Sequence, residues 1–80
     1  MKNKACVAFG GAVRRLRSAE QLSQEDFAER VDVHRTFIGG IERGERNPTL
    51  LTIVKIASAL GILPSELLRE AEQENGRAFR

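Results

Sequence analysis

Residues 22 to 48, LSQEDFAERVDVHRTFIGGIERGERNP, carry Arg35 and Thr36, then Phe37, then two adjacent glycines at Gly39 and Gly40, and Arg43 before Gly44. The segment reads as two short helices joined by a three-residue turn, the second opening on an arginine and closing on a glycine. That is one way in which a protein presents a helix to DNA. A helix so held enters the major groove, where each base pair shows a distinguishable pattern of donors and acceptors. The chemistry on offer is recognition rather than bond making. No serine or cysteine nucleophile has a matched histidine, and there is no phosphate-binding glycine loop. The lone Cys6 and the lone His34 cannot build a four-ligand zinc site. The glutamates fit solvated helix faces, so no enzyme, metal or cofactor is expected.

The second helix of the pair explains why these residues share a surface. Steps of about 100° put Ile38 and Ile41 on one side and Thr36, Gly39, Gly40 and Arg43 on the other, away from the core. Two glycines in a short helix cost roughly 2 kcal/mol relative to alanines. Close approach of DNA or of another backbone accounts for them; a loose or kinked helix is the plainer account. Phe37 lies beside this face, where it can pack on thymine methyl groups and sugars, or else be buried between the third and fourth helices.

The supporting elements follow from periodicity and capping. Phe9, Val13 and Leu16 recur at helical spacing between Arg14, Arg15 and Arg17, which predicts a first helix from about Ala5 to Ala19. Ser23 is the N-cap of the second, with Asp26 as its capping-box partner and Leu22 stapled on Phe27. The turn runs from Asp32 to His34, Asp32 having a short side chain that tolerates a left-handed conformation. The third helix spans Arg35 to Gly44. Asn47 or Thr49 caps a fourth, Leu50 to Leu60, ended by Gly61. Pro64 opens a fifth that runs to about Glu72. The apolar residues of the fourth helix fill an arc of roughly 220°, far more than an ordinary surface helix shows. The excess suggests a dimer interface at Leu51, Val54, Leu63, Leu67 and Leu68, unless a five-helix core absorbs them all. The tail QENGRAFR is expected to fray, although Phe79 can dock on a partner.

With 80 residues, 41% of them hydrophobic and 30% charged, the chain suits a single folded module. No apolar run approaches the roughly 20 residues of a membrane span, and the basic amino end lacks a cleavage-like site, so a mature cytoplasmic protein is expected. The formal net charge is +2, but Lys2, Lys4, Arg14, Arg15 and Arg17 against Glu20 give residues 1–22 a net +4. So modest a total says little about partners; placement has to carry the case.

The stretch from Phe9 to Leu68 resembles the Xre or Cro/cI-type helix-turn-helix regulators of bacteria and phages. The motifs LSQEDFAERV, DVH, RTFIGGIERG, RNPTL, IVKIASALGI and SELL stand in that family's order and spacing. RTFIGGIERGERNPTL is most similar to the small controller proteins of restriction-modification systems, which bind DNA as dimers and govern their own operon. The resemblance implies an all-α, five-helix, lambda-repressor-like domain over residues 5–72, with helix-turn-helix at helices two and three and short flexible tails at 1–4 and 73–80. It implies that Arg35 and Thr36 read base edges, with Phe37, Gly39 and Gly40 on the same surface. Gln24, Arg43, Arg46 and Asn47 then meet the phosphate backbone. Solvent is the plain alternative for Arg46, as it is for Arg14 and Arg15. Arg17 and Glu42 match a pair that bridges helices one and three in relatives. Asp32 replaces a favoured glycine and His34 a favoured serine or threonine cap, so a slightly strained turn is expected.

The function so implied is a transcriptional regulator, a repressor or controller, that binds a pseudo-palindromic operator on double-stranded DNA as a homodimer. The competing class is a protein-interaction module that uses the apolar surface of helices four and five, with DNA binding vestigial. Such a module lacks the steep salt dependence that release of phosphate counterions gives DNA binding.

Overall fold

Asn3 starts the first helix: its side-chain oxygen accepts from the backbone N–H of Ala5 at 2.8 Å and of Cys6 at 3.4 Å. The helix, α1, therefore runs Lys4–Ala19, one residue ahead of the expected start. The computed structural model describes residues 2–80. After α1 come α2 (Gln24–Val31), α3 (Arg35–Glu42), α4 (Leu50–Ala59), α5 (Pro64–Glu74) and a closing 3-10 turn, Gly76–Phe79. The described residues hold no strand, and the expected all-α, five-helix architecture is what they form. Lys4 belongs to α1, and α5 runs two residues beyond Glu72. The remaining tail forms a turn that lies against α1 and α5.

Local chemistry sets most of these ends. Ser23 Oγ accepts from the Asp26 N–H at 3.0 Å, and α2 follows. Asp32 is left-handed (φ 66°, ψ 48°), so the next N–H groups turn back to close α2: Asp32 donates to the Glu29 carbonyl and Val33 to that of Ala28. His34 does cap α3, its Nδ1 accepting from the Thr36 N–H at 3.1 Å. That helix runs to Glu42 with Arg43 as cap, and Gly44, left-handed as expected at φ +75°, closes it by donating to the Ile41 carbonyl at 3.0 Å. Of the two candidates for α4, Thr49 is the cap, accepting from the Thr52 N–H at 3.2 Å. Glu66 reaches back to accept from the Leu63 N–H at 3.0 Å, and Pro64 takes the first position of α5.

One core joins all five helices, with Val13, Phe27, Ile38, Ile41, Ile56 and Leu67 at its centre. Leu67 is wholly buried and is not part of an exposed apolar face, a correction to its expected place at an interface. It shares the inner side of α5 with Ala71, one turn on; Leu68, rotated about 100° from it, is outside. On α4 the wide apolar arc divides likewise. Ile56, Ala57 and Leu60 are buried, while Leu50, Leu51 and Val54 are exposed, as are Leu63 and Leu68. The core does not absorb them.

Gly10 fixes how α1 meets α3. A Cβ there would collide with the carbonyl oxygen of Ile41 and lie 2.9 Å from that of Glu42, so the two helices touch backbone to backbone. On another side of α1, Arg15 donates from Nε to Glu74 at 2.7 Å and from Nη2 to Glu70 at 2.8 Å. The bond to Glu74, then that to Glu70, raises the guanidinium pKa above its ordinary value. Arg15 thus fastens α1 to α5. No single helix among the described residues is long and apolar enough to cross a membrane.

Candidate nucleic-acid interface

The site is built outward from a buried anchor at the end of α3. Glu42 is 2% exposed at its side chain and receives Arg17 Nε at 2.6 Å, Arg17 Nη2 at 3.0 Å and Gln24 Nε2 at 3.0 Å. Arg17 also donates from Nη1 to the Leu22 carbonyl at 2.6 Å. One carboxylate therefore ties together α1, the connection after it, the first residue of α2 and the last turn of α3. The two-pronged geometry matches a planar guanidinium to a planar carboxylate, the strongest form of charge-assisted hydrogen bond. The Arg17–Glu42 bridge expected from the resemblance is present. Gln24 as a third member was not foreseen: its half-buried amide, expected at phosphate, here bonds to Glu42.

Ile38 and Ile41 hold the inner side of α3, and its opposite end is bare: His34, Arg35 and Thr36 are all exposed. Arg35 makes no ion pair among the described residues. It borders a shallow depression with Glu25, Glu29, Asp32 and His34, so carboxylates flank it on the α2 side.

Farther along α3 the expected open face is covered. Gly39 and Gly40 are both buried, not by core residues but by long polar side chains from the same end of the molecule. A Cβ on Gly39 would lie 3.0 Å from Arg43 Nη1 and 3.7 Å from Gln24 Oε1; one on Gly40 would lie 2.9 Å from Arg46 Cγ. The lack of side chains lets the neighbouring arginines fold down, which neither a loose helix nor an open surface describes. Arg46 lies with its guanidinium carbon 5.9 Å from the centre of the Phe37 ring, inside cation–π range. Phe37 is half-buried, packed against the core on one side. Arg43 pairs through Nε with Glu45 at 3.1 Å, an exposed pair worth at most about 1 kcal/mol. Asn47 is exposed.

The loop after α3 is fastened to α1. Gly44 has φ +75°, and a Cβ on it would lie 2.7 Å from Val7 Cα, so both conformation and space demand glycine. This contact brings Lys2 and Asn3 to the rim of a cavity that Cys6, Gly44, Glu45, Arg46 and Asn47 also line. Part of the basic charge at the amino end thereby joins the loop. Sequence spacing alone carried no signal of this, because residues 2 and 46 are brought together only by the packing of α1 on α3. Arg35, Thr36, Arg46, Asn47 and Lys2 remain as exposed donors around one helix; Gln24 is half-withdrawn and Arg43 is paired.

A helix-turn-helix family profile matches residues 13–67. Control protein C.BamHI of Bacillus amyloliquefaciens is 48% identical over 69 residues, 85% of each chain. Control protein C.MunI of a Mycoplasma species is 41% identical over 90% of this chain and 99% of its own. Among solved structures, the restriction-modification controller protein C.AhdI from Aeromonas hydrophila superposes with a TM-score of 0.76 at 48% identity, covering 78% of this chain and 94% of that one. A helix held by a buried carboxylate, with its first turn free and donors around it, is thus set in a sequence shared with control proteins, and the chain belongs to the Xre-type helix-turn-helix family of DNA-binding transcriptional regulators.

Proposed function

We propose that this regulator acts as a homodimer on a pseudo-palindromic operator and, like the control proteins it resembles, governs a restriction-modification operon. Residues 5–72 form the DNA-binding domain. Two copies of α3 enter successive major grooves about 34 Å apart. Arg35 and Thr36 read base edges with Phe37 beside them, and Gly39 and Gly40, covered by Arg43 and Arg46, shape that surface by letting those side chains lie close to the helix. Arg43, Arg46 and Asn47 hold the phosphate backbone, and Gln24 joins them through the part of its amide that Glu42 leaves free. The exposed apolar residues of α4, α5 and the connection between them, Leu51, Val54, Leu63 and Leu68, supply the contact between copies, Val54 and Leu63 lining one depression. The protein works in the cytoplasm on nucleoid DNA and needs no metal, cofactor or catalytic step.

The observation that carries this reading is the free first turn of α3. Arg35 stands exposed, with no ion-pair partner among the described residues, at the tip of a helix whose other end is locked. An arginine fork on guanine O6 and N7 contributes about 1 to 3 kcal/mol of discrimination. Selection of random duplex DNA by the purified protein is expected to enrich an inverted repeat, and Arg35→Ala to lose about tenfold or more in affinity for it. Failure to enrich any sequence, with weak binding that ignores salt, would favour a protein partner on the leucine face.

A further inference from the structure

We propose that Gly40 is a positioning residue for Arg46: the missing Cβ is the seat in which the arginine stem lies, so that a loop cation becomes part of the reading surface of α3. A Cβ on Gly40 would lie 2.9 Å from Cγ of Arg46, 3.2 Å from its Nε and 3.6 Å from its Cδ. These atoms belong to the middle of the side chain, not to its free end. Any residue larger than glycine therefore lifts the whole stem off the helix. With the stem seated, the guanidinium reaches the Phe37 ring, one turn back on α3, at 5.9 Å. The seat and the ring restrict a long side chain that would otherwise sample many rotamers, and ordering it before contact lowers the cost of binding. Gly39 differs, because its nearest neighbour, at 3.0 Å, is the terminal Nη1 of Arg43, which can swing aside.

The inference rests on the DNA-binding reading, with Arg46 at phosphate, but part of its test needs no DNA. In the free full-length protein, NMR is expected to show a nuclear Overhauser contact between Gly40 Hα and Arg46 Hγ, and Arg46 Hδ resonances displaced by the Phe37 ring current. Gly40→Ala should remove the displacement while far-UV circular dichroism stays helical, alanine being the better helix former. Affinity for a random-sequence duplex should fall about tenfold, and the salt dependence should flatten by nearly one phosphate equivalent. In an Arg46→Ala background the same change should cost nothing further.

Several results would overturn the proposal: no Gly40–Arg46 contact in the wild-type protein, unchanged affinity in Gly40→Ala, or an equal loss with and without Arg46. The last would mean that DNA itself meets the glycine. Should the wild-type protein bind no duplex, the DNA reading fails, and the NMR contact alone decides whether the seat exists.

Discussion

Replacing Glu42 by glutamine tests whether α3 is held as the structure indicates. The carboxylate is 2% exposed and Arg17 12% exposed at their side chains, so the change leaves a nearly buried guanidinium without its counter-charge. Breaking a buried pair by removing one partner costs about 3 to 5 kcal/mol. Glutamine keeps one acceptor oxygen, and Arg17 keeps its bond to the Leu22 carbonyl, which points to the lower end, about 3 kcal/mol. For a chain of 80 residues, total stability is about 4 to 12 kcal/mol, so this single atom exchange removes a quarter or more of it. At about 4 to 8 °C per kcal/mol, the midpoint of thermal unfolding should fall by about 12 to 24 °C. Urea titrations followed by circular dichroism would supply the free energies, and a cycle with Arg17→Met would isolate the pair. A loss below about 1 kcal/mol, or simple additivity with Arg17→Met, would refute the reasoning, because contacting buried charges must couple.

Other expectations follow from features at a distance from this anchor. Gly10→Ala forces α1 away from the carbonyls of Ile41 and Glu42 and should destabilise the protein by about 3 kcal/mol or more, read from the same urea titrations. His34→Ala removes the acceptor for the Thr36 N–H and should cost about 1 kcal/mol, whereas His34→Ser should hold the midpoint or raise it. Leu51→Glu, at a position 74% exposed, should leave the unfolding free energy of the monomer within about 0.5 kcal/mol while shifting sedimentation from dimer to monomer. If the wild-type protein sediments as a monomer at all concentrations, the leucine face serves another purpose.

What could be read in advance divides along the distance over which the physics acts. Caps and turns are local: Ser23, Asp32 and Pro64 each act within a few residues, and each stands where spacing predicts. The Arg17–Glu42 bridge was legible only through resemblance. Gly10 carries no local signal, because its requirement comes from the distant carbonyls of Ile41 and Glu42. Gly39 and Gly40 stand out for their helix cost, yet what comes close to them is Arg43 and Arg46, residues too flexible for spacing to place. Leu67 and Leu68 are adjacent and chemically identical, and only the packing angle of α5 assigns one to the core and one to the surface. The wide apolar arc announced an excess of hydrophobic surface without saying which residues would remain outside.

The junction of Gly44 with Val7 has a practical bearing on how the protein should be handled. Because α1 is pressed against the loop after α3, Lys2 stands at the rim shared with Arg46 and Asn47. An affinity tag or protease scar there would sit among the side chains assigned to the DNA backbone, and a run of histidines could mimic or mask their charge. An extension after Arg80 instead departs from the turn beyond α5, where the neighbouring elements are α1 and α5 themselves. Purification handles belong at that end.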